Sequence, residues 1–546
     1  MESSEVKTEE LSLGAKALNS AQLAAYSLKE RAMLLFVVGV TCSFAITLVF
    51  YLHNRLVGVE ATFVVLFFIL FKALIEIWCS LYAGYFVFIS LHYLATVGKR
   101  EPDSYDTNAN CPSLAIVYLC CEDVEPDCLE TLCKTKTSGA FKVIVHDDSK
   151  DPSEKIRVDE TAQRLSHKYD VDIEVLRRGN REGGKPGAMN YVLERIPESF
   201  EWMLLCDNDS MSMDDQWYLK VSQELKDPKL ACVQFRNVGT TSKSASALMK
   251  NLTRSIDVFE VFVSPAERFG WIPFFGHNGI LRLSAVREVG GFQPGEFADD
   301  IDMSIRLNLK GYRIRYRKDI AFSEAHPENY RAFRARSYKW AYGCSSVLRR
   351  WTMPILKSSE MKLQQKFFFF IFIGFYFTQI LLLSYLLITY FLLPLMIPQY
   401  DFSPIFSVFG GTLVIFLMYL PTMAYFLGND IFHKWPIFGL SVGLIYGSID
   451  FVSARAVIDC FTNKVRTWTP TNTVKSGFSN PVSSWFESAM GFGMLAIPFV
   501  MLPHLLYLPC SYLFALKFLA IPMLYTVYKK HDTSVSIEHD LEPELS

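Results

Sequence analysis

Hydropathy divides this chain in three before any motif is read. Apolar runs fill residues 31–98 and much of 351–528, whereas 101–350 carries short apolar segments broken by charge. A hydrocarbon core of about 30 Å takes about 20 apolar residues in helical form, and Ala32–Leu52 supplies them. The next stretch, Val57–Val97, exceeds one span, so part of it is expected to tilt or lie along the interface before Lys99-Arg100. Inside it, Lys72 and Glu76 stand one helical turn apart, as an ion pathway or a self-neutralising pair. After Arg350, Phe367–Ile397, Thr412–Leu427, Met490–Leu502 and Leu505–Val527 reach spanning length with their flanks. Ile437–Phe461 begins apolar but then carries Asp450, Arg455 and Asp459. As an interfacial or re-entrant helix it keeps the basic loop behind it on the same side as Lys29, Arg31, Lys99 and Arg100. The expected topology is an integral multi-pass membrane protein, with about two crossings before the middle domain and four after it. That domain and both tails, 1–30 and 529–546, are then cytosolic. A net charge of −2 argues against a nucleic-acid partner, and twelve cysteines without a Cys-x-x-Cys pair read as reduced, buried small hydrophobes.

In 101–350, strand candidates Leu114–Cys120, Lys142–Val145, Ile173–Leu176, Met203–Cys206 and Ala231–Phe235 alternate with helical segments Cys128–Thr135, Val158–Lys168 and Trp217–Leu225. This alternation predicts an α/β domain with a mostly parallel sheet. The apolar run from Trp202 stops at Asp207-Asn208-Asp209-Ser210, delivering two carboxylates to a strand end, where open α/β sheets bind ligands. Paired carboxylate oxygens suit Mg²⁺ or Mn²⁺, which neutralise a diphosphate; the same letters also form plain turns.

Four further clusters share the domain. His146-Asp147-Asp148-Ser149 ends a strand and fits either the ribose or base of a nucleotide or an Asx-turn. Arg181 to Asn190 sets glycines beside Lys185 at a helix start, suited to phosphate but without Walker spacing. Phe274 to Gly279, with His277 and Asn278, forms a tight turn near the acceptor end, or an ordinary Gly-rich loop. Glu296 to Asp302 opens the helix Ile301–Leu309, where acids are also at home as caps. Finally, Arg334, Arg336, Lys339 and Trp340 would grip a pyrophosphate with a ring beside an acceptor, or anchor a helix in lipid headgroups.

Taken in order, Asp147-Asp148, the Gly-Gly-Lys-Pro-Gly-Ala-Met-Asn run, Asp207-Asn208-Asp209, Ala298-Asp299-Asp300 and Arg336-x-x-Lys339-Trp340 resemble the motifs of family-2 membrane glycosyltransferases of the cellulose, hyaluronan and chitin synthase group. The resemblance covers roughly Ser113 to Lys475. It implies a GT-A fold, Rossmann-like with a mostly parallel sheet, inserted between transmembrane helices. It also implies Asp300 as catalytic base, Asp147, Asp148, Lys185, Asp207, Arg336 and Lys339 on the donor, and Asp207 with Asp209 on Mg²⁺ or Mn²⁺. Trp340, His277 and Asn278 would face the acceptor, and Thr469 to Lys475, within a loop at 463–480, looks like a gating loop. Two departures stand out: Gln-x-x-Arg-Trp is here Arg336-x-x-Lys339-Trp340, and Thr-Glu-Asp is Ala298-Asp299-Asp300. Lys does not reproduce the two-pronged grip of Arg on phosphate, which leaves processivity open. The expected activity is inverting transfer from a nucleotide-diphosphate sugar, a UDP-sugar first, to a growing β-linked polysaccharide. The alternatives are a non-processive enzyme with a lipid-linked acceptor, and a transporter or receptor with a nucleotide-sensing domain.

Overall fold

The computed structural model describes residues 35–50, 52–53, 62–97, 110–240, 247–269, 271–327, 330–396, 420–429, 449–464 and 485–500, with Ala515 and Leu519. Most of the expected gating-like loop, all of Thr469 to Lys475 and the spans at Leu505–Val527 and most of Thr412–Leu427 lie outside the described residues. The middle domain is an eight-stranded sheet: β1 Leu114–Cys120, β2 Phe141–Asp147, β3 Ile173–Leu176, β4 Trp202–Asp207, β5 Met211–Ser212, β6 Leu230–Thr240, β7 Gly279–Arg282 and β8 Arg313–Ala325. Their spatial order is β3-β2-β1-β4-β7-β6-β8-β5.

The β3-β2-β1-β4 half is wholly parallel, as the alternation predicts, and β6 with β8 is parallel as well. The sheet is mostly parallel, as expected, with two antiparallel strands added. β7 runs antiparallel between β4 and β6, and β5 runs antiparallel on β8, so the sheet is mixed. β7 is four residues long and follows the tight turn at Asn278 directly, which lets it enter the sheet without a crossover helix.

Because side chains alternate along a strand, the central strands feed two cores. Leu114, Ile116 and Tyr118 of β1 pack on one face with Trp217 and Phe235. Ala115 and Val117 pack on the other with Met189, Phe274 and Met303. The second core is covered by the helices Gly184–Leu193 and Asp299–Leu309, and both begin at the strand-end edge where the site lies.

Phe63–Thr96 and Leu363–Leu387 are long and apolar enough to cross a membrane, and Leu35–Phe50 is a shorter apolar helix. The Val57–Val97 stretch contains one uninterrupted helix, Phe63–Thr96. Its C-terminal part meets the α/β domain: Phe86 packs edge-on against Phe262, with ring centroids 5.7 Å apart. Trp271 likewise meets Phe369 at 5.8 Å. One shared cluster joins Ile301 and Ile305 to Phe368 and Phe369, so the acidic-start helix lies against the apolar helices.

The Lys72 ammonium sits 2.6 Å from Glu76 Oε1, and the Tyr385 hydroxyl donates to the same oxygen at 3.2 Å, closing the pair locally. Asp450–Phe461 is a separate short helix packed on Tyr338 and Ala341, and the Tyr338 hydroxyl donates to Asp459 Oδ2 at 2.7 Å.

One acid of the Glu296–Asp302 cluster belongs to the scaffold. Asp302 is fully buried, with Arg306 Nε donating to one oxygen and Trp351 Nε1 to the other, each at 2.8 Å. Removing one partner of a buried pair costs about 3–5 kcal/mol because the other charge is left uncompensated. Asp302→Ala is therefore expected to lower the thermal unfolding midpoint of the purified protein clearly, and Asp302→Asn less. Unchanged unfolding of Asp302→Ala would show that the pair contributes nothing.

Candidate active site

The centre of the site is built by the end of β4. Asp207 closes the strand, its N–H donates to Ser210 Oγ at 3.1 Å, and the Ser210 N–H returns to the Asp207 carbonyl at 3.1 Å. This turn is held from below by Tyr118, whose hydroxyl donates to the Asn208 carbonyl at 2.9 Å. Lys185 Nζ reaches across from the second turn position of its helix to Asp207 Oδ1 at 2.5 Å and to the Gly276 carbonyl at 3.1 Å. The loop before this helix folds tightly against its first turn because of Gly187. A Cβ there would fall 2.1 Å from the Glu182 carbonyl oxygen.

Burial works against ionisation of Asp207, but Lys185 and His277 outweigh it and hold the carboxyl below its ordinary range. Its neighbour behaves oppositely. Burial and the Asp207 charge push Asp209 up to about 6, although Asp209 Oδ2 accepts the Ala325 N–H at 2.9 Å.

His277 joins this centre to the ends of β6 and β8. Its Nδ1 lies 3.7 Å from Asp207 Oδ2 and its Nε2 lies 3.1 Å from Glu324 Oε2, which also accepts from Asn237 Nδ2 at 2.7 Å. Burial opposes the imidazolium, yet Glu324 and Asp207 raise His277 to about 9. Glu324 is driven the other way, to about 2, with burial overcome chiefly by His277. Asn278 adopts φ 51° and is wholly buried. Its N–H donates to Leu205 O at 2.8 Å, its carbonyl accepts from Phe235 N–H at 3.1 Å, and its side-chain amide donates to Asn237 Oδ1 at 3.2 Å.

Another wall is the start of the helix Asp299–Leu309. Asp300 Oδ1 accepts its own helix's Ile301 N–H at 2.8 Å. Its Oδ2 faces Gly276, where an added Cβ would sit 3.4 Å from that oxygen. Gly276, with φ +86°, is thus shared: its carbonyl holds Lys185 and its bare α-carbon leaves the face of Asp300 open. Burial and then the Asp299 charge raise Asp300 to about 7.

Behind it, the helix Tyr330–Lys357 brings Lys339, whose ammonium is disfavoured by burial and favoured by Asp299, Asp207 and Asp300. Arg336 lies one turn before Trp340 and stacks on it, with Cζ 4.5 Å from the ring centroid, and Trp340 is 41% exposed. Arg334 and Arg336 are themselves buried.

Asp147 and Asp148 end β2, two strands from Asp207. Both Asp147 oxygens are engaged, by Arg177 Nε at 2.7 Å and Ser149 N–H at 2.8 Å. Asp148 takes a two-pronged contact from Arg178, 2.9 Å from Nε and 2.6 Å from Nη2. The same guanidinium donates to the Glu182 and Gly184 carbonyls at 2.7 and 2.9 Å, tying β2 to the glycine loop that carries Lys185.

Arg177, Arg178, Asn237 and Glu324 are absent from the sequence-based set. The arginine pair directly after β3 was a usable signal, since charge at a strand end faces the ligand edge. Glu324 had none, because β8 itself was not legible.

Among the described residues no three His, Cys, Asp or Glu side chains converge as a metal cage. Asp207 with Asp209 nevertheless suits a hard divalent ion of the kind that one or two carboxylates hold together with substrate phosphates. The raised Asp209 carboxyl marks negative charge that a cation would relieve.

Residues 113–290 match the sequence family described as glycosyl transferase family 2, and residues 202–427 match glycosyl transferase family group 2. The chain carries a family 2 glycosyltransferase domain. The strand-end acids, the glycine loop, the His277 turn and the Asp299-Asp300 start all fall inside these matched stretches. In Arabidopsis thaliana, the transferase domain is similar to a probable glucomannan 4-beta-mannosyltransferase 15, 25% identical over 272 residues, which are 50% of this chain and 50% of that protein. It is also similar to glucomannan 4-beta-mannosyltransferase 2 of the same plant, 28% identical over 233 residues, covering 42% of this chain and 43% of that one. The chain thus spans about half the length or less of these curated relatives. A solved mannosyltransferase from Pyrobaculum calidifontis, in complex with GDP-Man and Mn²⁺, aligns over 72% of this chain at 15% identity with a TM-score of 0.45.

Proposed function

We propose that this protein transfers a hexose from a nucleoside diphosphate sugar to a hydroxyl of a growing β-linked polysaccharide, with inversion at the anomeric carbon. The observation that carries this reading is that Asp300 Oδ2 and the Lys185–Asp207 pair meet at one glycine, Gly276. A base with cations close by suits a single displacement. The acceptor O–H gives its proton to Asp300 Oδ2 as its oxygen bonds to the anomeric carbon, and the carbon–oxygen bond to the diphosphate breaks with its electron pair. Lys185, Lys339 and Arg336 meet the charge that grows on the leaving oxygens. A divalent ion on Asp207 and Asp209, Mg²⁺ or Mn²⁺, would supply further charge neutralisation there. Trp340 would offer its exposed ring to the acceptor sugar beside His277.

The long apolar helices would cross the membrane with the transferase domain on the cytosolic side, as the basic flanks suggest. Ile301 and Ile305, which follow Asp300 on its helix, share one cluster with Phe368 and Phe369 of the apolar helix Leu363–Leu387. That proximity favours a second reading, a non-processive enzyme with a lipid-linked acceptor. Purified full-length protein given UDP-glucose, UDP-N-acetylglucosamine or GDP-mannose separates these cases. A ladder of chain lengths supports the polymer, and a single extended product supports the lipid-linked acceptor. Turnover of none of these donors would leave a transporter or receptor as the better account.

Arg178 gives a test of the donor side that does not depend on turnover. Arg178→Lys keeps the charge but loses the two-pronged contact and the loop carbonyls. Binding of UDP or GDP is expected to weaken by about tenfold. Calorimetry showing wild-type affinity for both would remove the glycine loop from the donor site.

A further inference from the structure

The three acids in the first turn of the helix Asp299–Leu309 have different surroundings. Asp302 has both oxygens held by protein donors, and Asp300 has one. Asp299 is 9% exposed, and its Oδ2 is buried with no hydrogen-bonding partner among the described residues. It does not cap the helix, since the cap residue is Ala298 and no side chain bonds there. An unpaired buried acceptor costs about 1–3 kcal/mol, so a structure that keeps one needs a compensating donor. The charges that act on Asp299 are Lys185, Lys339 and Asp207, which places it inside the site rather than in the scaffold.

A phosphate group would be repelled by this carboxylate, and neither Lys185 nor Lys339, the cations that act on it, hydrogen-bonds Oδ2. What remains is a neutral O–H donor. We infer that Asp299 is a substrate-binding residue, whose buried Oδ2 accepts a hydrogen bond from one hydroxyl of a sugar in this site and so selects sugars that carry it. The inference rests on the sugar-transfer reading of the site and deepens it. A site built around a hydroxyl discriminates strongly against the analogue lacking it, because the protein oxygen is then left unpaired. Two sugars could supply that hydroxyl, the donor's or the acceptor's terminal unit.

The test uses the full-length protein with the 2-, 3-, 4- and 6-deoxy analogues of UDP-glucose and GDP-mannose in one arm. The other arm uses β-linked acceptor oligosaccharides deoxygenated at the terminal sugar. In wild type, loss of one hydroxyl is expected to lower kcat/KM by about tenfold or more. In Asp299→Ala the same deletion should change it by less than about twofold, with Asp299→Asn intermediate and UDP and GDP affinity unaltered. The arm in which the discrimination collapses identifies the sugar. The same full penalty in wild type and Asp299→Ala overturns the assignment, as does a variant that loses nucleotide affinity, which would mark an internal structural role. Calorimetric binding of the deoxy analogues makes the donor-arm comparison without transfer. A protein that binds sugar nucleotides selectively but never transfers would refute the transferase reading and leave Asp299 as the selector.

Discussion

Asp300→Asn should lower transfer by about 10²–10⁴-fold while the affinity for UDP or GDP stays near wild type. The amide keeps the size of the side chain and its contact with the Ile301 N–H, but it has no basicity with which to take the acceptor's proton. Because the base acts only as the transition state forms, the loss falls on turnover. The pH profile gives a second signature. A carboxyl raised to about 7 by burial and Asp299 is protonated, and idle, below that pH. Wild-type turnover should therefore rise as pH increases through about 7 and then level off, and residual turnover in Asp300→Asn should lack that rise. An active Asp300→Asn beside an Asp299→Asn that cannot turn over would assign the base to Asp299. Loss of nucleotide affinity in both variants would instead favour a capping role for the cluster.

The second large effect concerns the β4 acids. Asp209→Ala is expected to lower transfer by at least 10²-fold and to leave the protein folded. Its carboxyl is held near 6 by burial and by Asp207. A carboxylate whose folded pKa is raised opposes folding at neutral pH, so removing it relieves that cost while giving up the Ala325 N–H contact. Chelation of the wild type with EDTA should abolish transfer, and Mn²⁺ or Mg²⁺ should restore it. Full turnover in EDTA, or in Asp209→Ala, would mean that Lys185, Lys339 and Arg336 neutralise the leaving diphosphate unaided.

Much of this site can be read from one-dimensional signals because apolar runs end abruptly at it. Met203 to Cys206 stop at Asp207, and Lys142 to Val145 stop at His146-Asp147-Asp148; in both places the hydrophobic strand and its polar tip are visible letter by letter. The glycine loop and the Asp299-Asp300 start are similarly local. Strands β7 and β8 of the other half of the sheet are not. β8 carries Arg313, Arg315 and Arg317, and its charges are ion-paired, the buried Arg317 with Glu224 and Asp319, so its pattern reads as a loop. β7 is four residues long, too short for periodicity to register.

With β8 hidden, Glu324 had no visible address, and Asn237 lies two residues past the Ala231–Phe235 segment that marks β6, so the brace they form around His277 was not visible either. Asn278 shows the converse. Its letter suggested an acceptor contact, whereas its backbone and amide are bound to Leu205, Phe235 and Asn237 at the join of β7 and β6. Ile437–Phe461 was expected to be an interfacial or re-entrant helix; its described part is the helix Asp450–Phe461, whose Asp459 accepts from Tyr338 on the helix that also holds Arg336, Lys339 and Trp340. Such pairing over long sequence separation is invisible to a local pattern.

The stereochemistry of the bond that is formed tests the central claim most directly. Purified full-length protein is supplied with an α-linked nucleotide sugar that it turns over, and the anomeric one-bond carbon–hydrogen coupling of the new linkage is measured by NMR. Attack from the face opposite the diphosphate, with Asp300 as the only base, predicts a β linkage. An α linkage would require a second displacement or a different face of attack, and would contradict the proposed single displacement with Asp300 as base.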